Sequence, residues 1–145
     1  MTSTIDAALA SDPGCVREQN EDHGRIVRPG DAALQSTRGV LAIVADGMGG
    51  HSSGEVASAL AVETIHRLYY ETSGDPAAAL TEAMLGANRA VFDQAATDPR
   101  LHGMGTTCVA LALCDGQAYA ANVGDSRTYL YRGGRLRQKA RQLAG

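Results

Sequence analysis

The stretch VLAIVADGMGGHSSGEVASAL, residues 40–60, decides the fold class. Val40 to Ala45 is a continuous apolar run of strand length, bounded by Gly39 and by Asp46-Gly47. Such a run reads as a strand buried on both faces. Gly47-Met48-Gly49-Gly50-His51 is a glycine-rich turn, after which Ser52-Ser53-Gly54-Glu55 supplies a capping box, with Ser52 as N-cap and Glu55 three residues on. The helix this box opens carries an apolar face of Ala57, Leu60, Ala61, Thr64, Ile65 and Leu68.

Working outward, a second helix starts at Asp75, a capping residue, with Pro76 at the first helical position. Its stripe is Ala77, Leu80, Met84, Ala87 and Val91, diluted by Gly86 and Asn88. From Thr106 the period changes. Residues 106–114 are rich in Thr, Val, Leu and Ala and end at Asp115-Gly116, a two-residue hairpin turn. Residues 117–123 read as the returning strand, and 128–131 as a third strand closed by Gly133-Gly134. Upstream, residues 24–28 form a short strand. Strand, strand, helix, helix, then a β-meander is the signature of an α+β fold rather than an alternating parallel sheet. Residues 1–10 read as an N-terminal extension and 137–145 as a disordered tail, because periodicity stops there.

The bulk numbers restrict function. A chain of 145 residues with 44% hydrophobic and 20% charged residues suits one globular domain. A net charge of −3 and a pI near 5.7 leave no broad basic field for nucleic acid or an anionic membrane. The basic residues Arg132, Arg135, Arg137, Lys139 and Arg141 read as a solvated tail. No apolar run approaches the roughly 20 residues needed to cross a bilayer, and residues 1–10 lack the Lys or Arg of a signal peptide. Cys15, Cys108 and Cys114 are odd in number and lack metal-type spacing, as expected of reduced, largely buried thiols in a cytoplasmic protein.

The chemistry collects around acidic residues. Asp46 follows a buried strand at once and precedes glycine, so its carboxylate sits on a rigid element at the mouth of the fold. Gly47 has no side chain to keep its carbonyl from a cation. Glu21 and Asp22 are neighbours upstream, and Asp125 lies in Gly124-Asp125-Ser126-Arg127. All-oxygen donors without convergent His or Cys favour Mg²⁺ or Mn²⁺. Arg17 offers the planar fork that matches two phosphate oxygens. Each feature also has a plainer reading: an Asp-Gly turn, a surface acidic pair, a surface salt bridge.

In combination they become specific. The strings SDPGCVREQNED (11–22), VADGMGGHSSGEVAS (44–58), GMGTTCVALAL (103–113) and NVGDSRTYLYRGGRL (122–136) resemble, in order and wording, the bacterial branch of the metal-dependent protein phosphatases, the PPM or PP2C-type serine/threonine phosphatases. The resemblance implies an α/β/β/α sandwich of two antiparallel sheets flanked by helices. It implies hydrolysis of phosphoserine and phosphothreonine in phosphorylated proteins by a hydroxide bridging two Mn²⁺ or Mg²⁺ ions, with a third in some members. By position, Asp46 resembles the bridging carboxylate and Gly47 the carbonyl donor. Glu21 and Asp22 resemble the acidic pair, Asp125 a ligand of the third metal, and Arg17 the phosphate-binding arginine. His51 stands three residues beyond Met48, the position where many eukaryotic members carry a histidine, so proton transfer, substrate contact and helix-start packing all stay open for it. His23, His66 and His102 read as structural or exposed.

The resemblance covers 11–136, a partial phosphatase domain. Two further metal-binding aspartates of the family have no counterpart by Gly145, so residues 1–145 alone are expected to be nearly inactive. The alternative is a truncated, non-catalytic phosphatase-like module that binds a phosphoprotein or partner. A cysteine phosphatase lacks its Cys-x5-Arg loop here, and the glycine-rich turn lacks the Gly-Lys-Ser/Thr of a nucleotide site.

Overall fold

A computed structural model describes residues 4–50 and 53–139. Its spine is an antiparallel pair, β1 (Asp22–Val27) and β2 (Val40–Met48), in which Asp22 stands opposite Asp46 and Val27 opposite Leu41. A one-turn-and-a-half helix, α1 (Ala32–Thr37), lies between them in sequence. Asp31 caps it, accepting from Ala33 N at 2.8 Å and Leu34 N at 3.1 Å. Six residues are too few to show a helical period, so only the cap announces this element.

Then come α2 (Ser53–Glu71) and α3 (Pro76–Thr97), a 3₁₀ turn at Pro99–Leu101, and β3 (Gly105–Thr106), β4 (Cys108–Cys114) and β5 (Gln117–Val123). The sheet order is β1-β2-β4-β5, with β3 paired to the far end of β2 at Gly47 and Met48. The β4–β5 hairpin turns at Asp115 (φ 51°) and Gly116 (φ 73°), two left-handed residues that match the twist of the strands they join.

Both long helices cover the same face of the sheet. Leu41, Ile43 and Ala45 of β2 and Ala110 and Ala112 of β4 are buried against Ala57, Ala61, Ile65 and Tyr69 of α2 and Leu80 and Met84 of α3. Each large aliphatic side chain so buried contributes roughly 1.5–3 kcal/mol. The expectation that the 40–45 run is buried on both faces is corrected: burial alternates with period two, and Val44 is 43% exposed. The physical reason is that both long helices, α2 and α3, lie on one side.

The expected face of α2 holds. Asp75 does cap α3, accepting from Ala78 N at 2.7 Å with Pro76 at its start. The α3 stripe is corrected at its beginning. Ala77 is exposed, and the buried set is Ala79, Leu80, Ala83, Met84, Ala87 and Val91. Gly86, which looked like a weakness, lets α3 and α2 pack closely, since a Cβ there would lie 2.2 Å from Leu68 Cδ1.

The meander is also corrected. The strand after β5, β6 (Thr128–Arg132), leaves the first sheet and pairs with β7 (Arg135–Lys139) in a second, two-stranded antiparallel sheet. Residues 137–139 are therefore strand rather than tail; the Gly133-Gly134 turn holds them opposite 128–130. The rest of that expected tail, and the Ser52 cap, fall outside the described residues. Among the described residues no helix is long and apolar enough to cross a membrane. Cys108 and Cys114 are buried as expected, but Cys15 is exposed.

Candidate metal centre

The β1–β2 register creates the site. Asp22 and Asp46 face one another across the pair, so their side chains emerge on the same face of the sheet, at the end where β2 runs out into the glycine turn. Their carboxyls are in hydrogen-bonding contact, and the Asp46 carboxyl is pushed above the ordinary carboxylate range. Partial desolvation contributes most. The hydrogen bond and charge of Asp22 and the charge of Asp125 add to it, and Arg17 opposes it. Two carboxylates set this close favour neutralisation by a proton or by a cation.

The other candidates gather around this pair. Arg17, Glu18, Glu21, Asp46, Gly47 and Met48 line one open cleft of about 830 Å³. Arg17 Nη1 lies 3.8 Å from Glu21 Oε2 at the exposed rim, where a guanidinium can meet both a carboxylate and an incoming anion. Asp125 is exposed on the loop between β5 and β6, near enough for its charge to reach Asp46. His51 lies outside the described residues. Among the described residues, no group of three His, Cys, Asp or Glu side chains is set to hold an ion by itself. The arrangement therefore brings Asp22 and Asp46 together, sets Glu21 and Arg17 beside them, and leaves Asp125 on a neighbouring loop.

Glycine makes this density possible. A Cβ on Gly47 would lie 1.9 Å from Gly54 O, and one on Gly54 would lie 2.8 Å from the Glu21 carboxyl carbon. The first turn of α2 can approach the end of β2, and the Glu21 carboxylate can rest against that turn, only because both positions lack side chains.

Residues that sequence reasoning passed over hold the frame. The Glu21 carbonyl accepts from Gly47 N at 3.2 Å and from the Ser58 hydroxyl at 2.5 Å. The same Ser58 hydroxyl lies 3.2 Å from Glu55 O and 2.8 Å from His23 Nδ1, which ties β1 to the first turns of α2. Thr107 and Asp46 exchange hydrogen bonds: Thr107 N donates to Asp46 O at 2.9 Å, and Asp46 N to Thr107 Oγ1 at 3.2 Å. Ser58 is fully buried in α2, and Thr107 lies inside one of the four sequence strings, yet their partners stand 37 and 61 residues away. No local pattern marks them.

The donor set suits hard divalent cations. It is all oxygen, and it carries a carboxylate whose charge is already disfavoured by its neighbours.

The chain is also similar to known proteins. The family model for protein phosphatase 2C matches residues 23–141. The chain is 38% identical over 137 residues to the serine/threonine phosphatase Stp of Listeria welshimeri, covering 91% of this chain and 52% of that protein. It is 38% identical over 139 residues to the serine/threonine protein phosphatase PstP of Mycobacterium tuberculosis, covering 95% of this chain and 25% of that protein. It thus spans about half the length, or less, of these curated relatives. The crystal structure of M. tuberculosis PstP superposes with a TM-score of 0.72 over 88% of this chain and 50% of that one. The PstP catalytic domain solved in complex with two manganese ions gives 0.70 at 39% identity, over 86% of this chain and 50% of that one.

Proposed function

From the premise that the chain belongs to the protein phosphatase 2C family, we propose that it supplies part of a site hydrolysing phosphoserine and phosphothreonine in proteins with Mn²⁺ or Mg²⁺. The observation that carries this reading is the Asp22–Asp46 pair at the sheet end, in contact and charge-strained. Residues 11–136 form the phosphatase-type unit in this reading, with 1–10 as an extension. The substrates are phosphorylated proteins produced by serine/threonine kinases, and the setting is the cytoplasm.

Asp46, Asp22 and Glu21 would hold the cations, with the Gly47 carbonyl beside them and Asp125 available to a third. Bound there, two such ions supply a water of near-neutral pKa and positive charge at the phosphoryl group. This chain's own residues do the rest. Arg17, at the exposed rim beside Glu21, orients the phosphate by a charge-assisted fork and offsets its charge against the acidic cleft. Asp46 and Asp22, fixed across two paired strands, keep their oxygens in place without rearrangement as the substrate arrives. Gly47 and Gly54 keep the floor of the cleft open to main-chain oxygens. His51 keeps three roles open in this reading: substrate contact, proton transfer or helix-start packing.

One observation favours a second reading, a non-catalytic module that binds phosphoproteins: three metal-holding side chains do not converge among the described residues. The same assay separates the two. In a longer chain that carries the complete domain, hydrolysis of a phosphothreonine peptide should require added Mn²⁺ or Mg²⁺ and stop with EDTA. Turnover that survives exhaustive chelation refutes the metal reading. Saturable peptide binding without any turnover in that longer chain, at saturating Mn²⁺, establishes the module.

A further inference from the structure

The hydroxyl of Thr107 stands where three segments meet. Its Oγ1 accepts from Asp46 N at 3.2 Å, so its own proton is available to Ser126 Oγ, 2.6 Å away. Ser126 directly follows Asp125, and its carbonyl accepts from Asn122 Nδ2 at 2.8 Å, which holds the loop from the β5 side. The Thr107 methyl packs against Gly124, where a Cβ would lie 2.8 Å from Thr107 Cγ2. One side chain therefore grips the main chain of Asp46 and, through Ser126, the loop that carries Asp125.

We propose that Thr107 is a positioning residue of the metal centre, whose hydroxyl couples the Asp46 carboxylate to the Asp125 loop. The inference rests on the metal reading above. Thr107 is not placed as a ligand. It fixes the strand that presents one carboxylate and the loop that presents another, so that cation binding at either is felt at both. Such outer groups orient ligands that would otherwise sample several positions. Thr107 thus gives the Asp46 strand and the Asp125 loop a hydrogen-bonded spacer.

The test is Mn²⁺ affinity of the metal-stripped protein, read by electron paramagnetic resonance of free Mn²⁺ and by calorimetry. Thr107→Val keeps the shape and removes the hydroxyl, and should raise the Kd about tenfold, whereas Thr107→Ser, which retains the hydroxyl, should stay within about twofold of the parent. In the Thr107→Val background, Asp125→Asn should have less effect than in the parent, the mark of a lost coupling. A Thr107→Val protein that binds Mn²⁺ like the parent overturns the inference. Should that variant fail to fold, Ser126→Ala replaces it: raised Kd supports the coupling and an unchanged Kd overturns it. Asp46→Asn is the arm that tests the underlying reading. If the parent binds no Mn²⁺, or Asp46→Asn binds as the parent does, the metal centre itself falls, and this inference with it.

Discussion

Asp46→Asn should have opposite effects on the metal-free and metal-loaded protein, and the structure sets the size of each. Facing residues of an antiparallel pair have Cβ atoms about 5 Å apart. Two unit charges at that distance repel by about 0.8 kcal/mol in water and about 3 kcal/mol at an effective dielectric near 20. Asp46 is exposed and Arg17 opposes the repulsion, so the lower figure governs and a net penalty of about 0.5–1 kcal/mol remains. The sign follows from linkage. The folded-state pKa of Asp46 is raised, so its ionisation costs stability, which is lost as pH rises through that raised value. Asparagine keeps the shape and removes the charge. In EDTA the variant should therefore melt at the parental temperature or up to about 4 °C higher. Mn²⁺ at about 100 times its Kd should stabilise the parent by about 2.7 kcal/mol and the variant by almost nothing. Thermal melts with and without Mn²⁺ read both effects. A variant clearly less stable than the parent in EDTA would make Asp46 a structural turn residue. One that keeps the Mn²⁺ shift would remove it from the metal centre.

In the complete domain, Arg17→Ala should raise KM for a phosphopeptide more than it lowers kcat, at a cost of roughly 1.5–3 kcal/mol in kcat/KM; an unchanged KM assigns Arg17 to its salt bridge with Glu21. Arg38 is 7% exposed and spends its guanidinium on main-chain carbonyls, those of Tyr69, Thr37 and Thr72, with the Tyr69 ring 5.8 Å beneath it. Arg38→Met, which removes these bonds at the C-terminal end of α2, should lower stability by roughly 2–4 kcal/mol in urea unfolding, and a loss below about 1 kcal/mol would refute that accounting. Burial pushes the Cys108 thiol up to about 12 and also raises Cys114, while Cys15 is exposed. Iodoacetamide at neutral pH should accordingly modify Cys15 alone until denaturant is added, as read by peptide mass spectrometry; equal labelling of Cys108 in the native protein would contradict its burial.

What could be read from the sequence divides by the range of the interactions involved. The α3 cap, the Asp115-Gly116 hairpin and the face of α2 are set within a few residues, and each appears where its local chemistry places it. The 40–45 run misled because apolar content does not say how many sides of a strand are covered; only the position of α2 and α3 decides that. The departure of β6 into a second sheet is equally invisible, since the residues 128–131 have the same strand character in either pairing. For the site, the acidic residues themselves were recognisable as types. What joins them is the register of β1 on β2. A slip of one residue would turn Asp22 to the opposite face, away from Asp46, without changing a single letter of the motif. That register is held by contacts far apart in sequence: the Glu21 carbonyl bound by Gly47 and Ser58, and Asp46 bound by Thr107. The carboxylates are thus brought together by main-chain and hydroxyl bonds rather than by their own side-chain chemistry. Folding must bear their repulsion in advance, and a bound cation recovers it. This makes the strength of metal binding depend on how rigidly the hydroxyls hold the strands, as much as on the carboxylates that touch the ion.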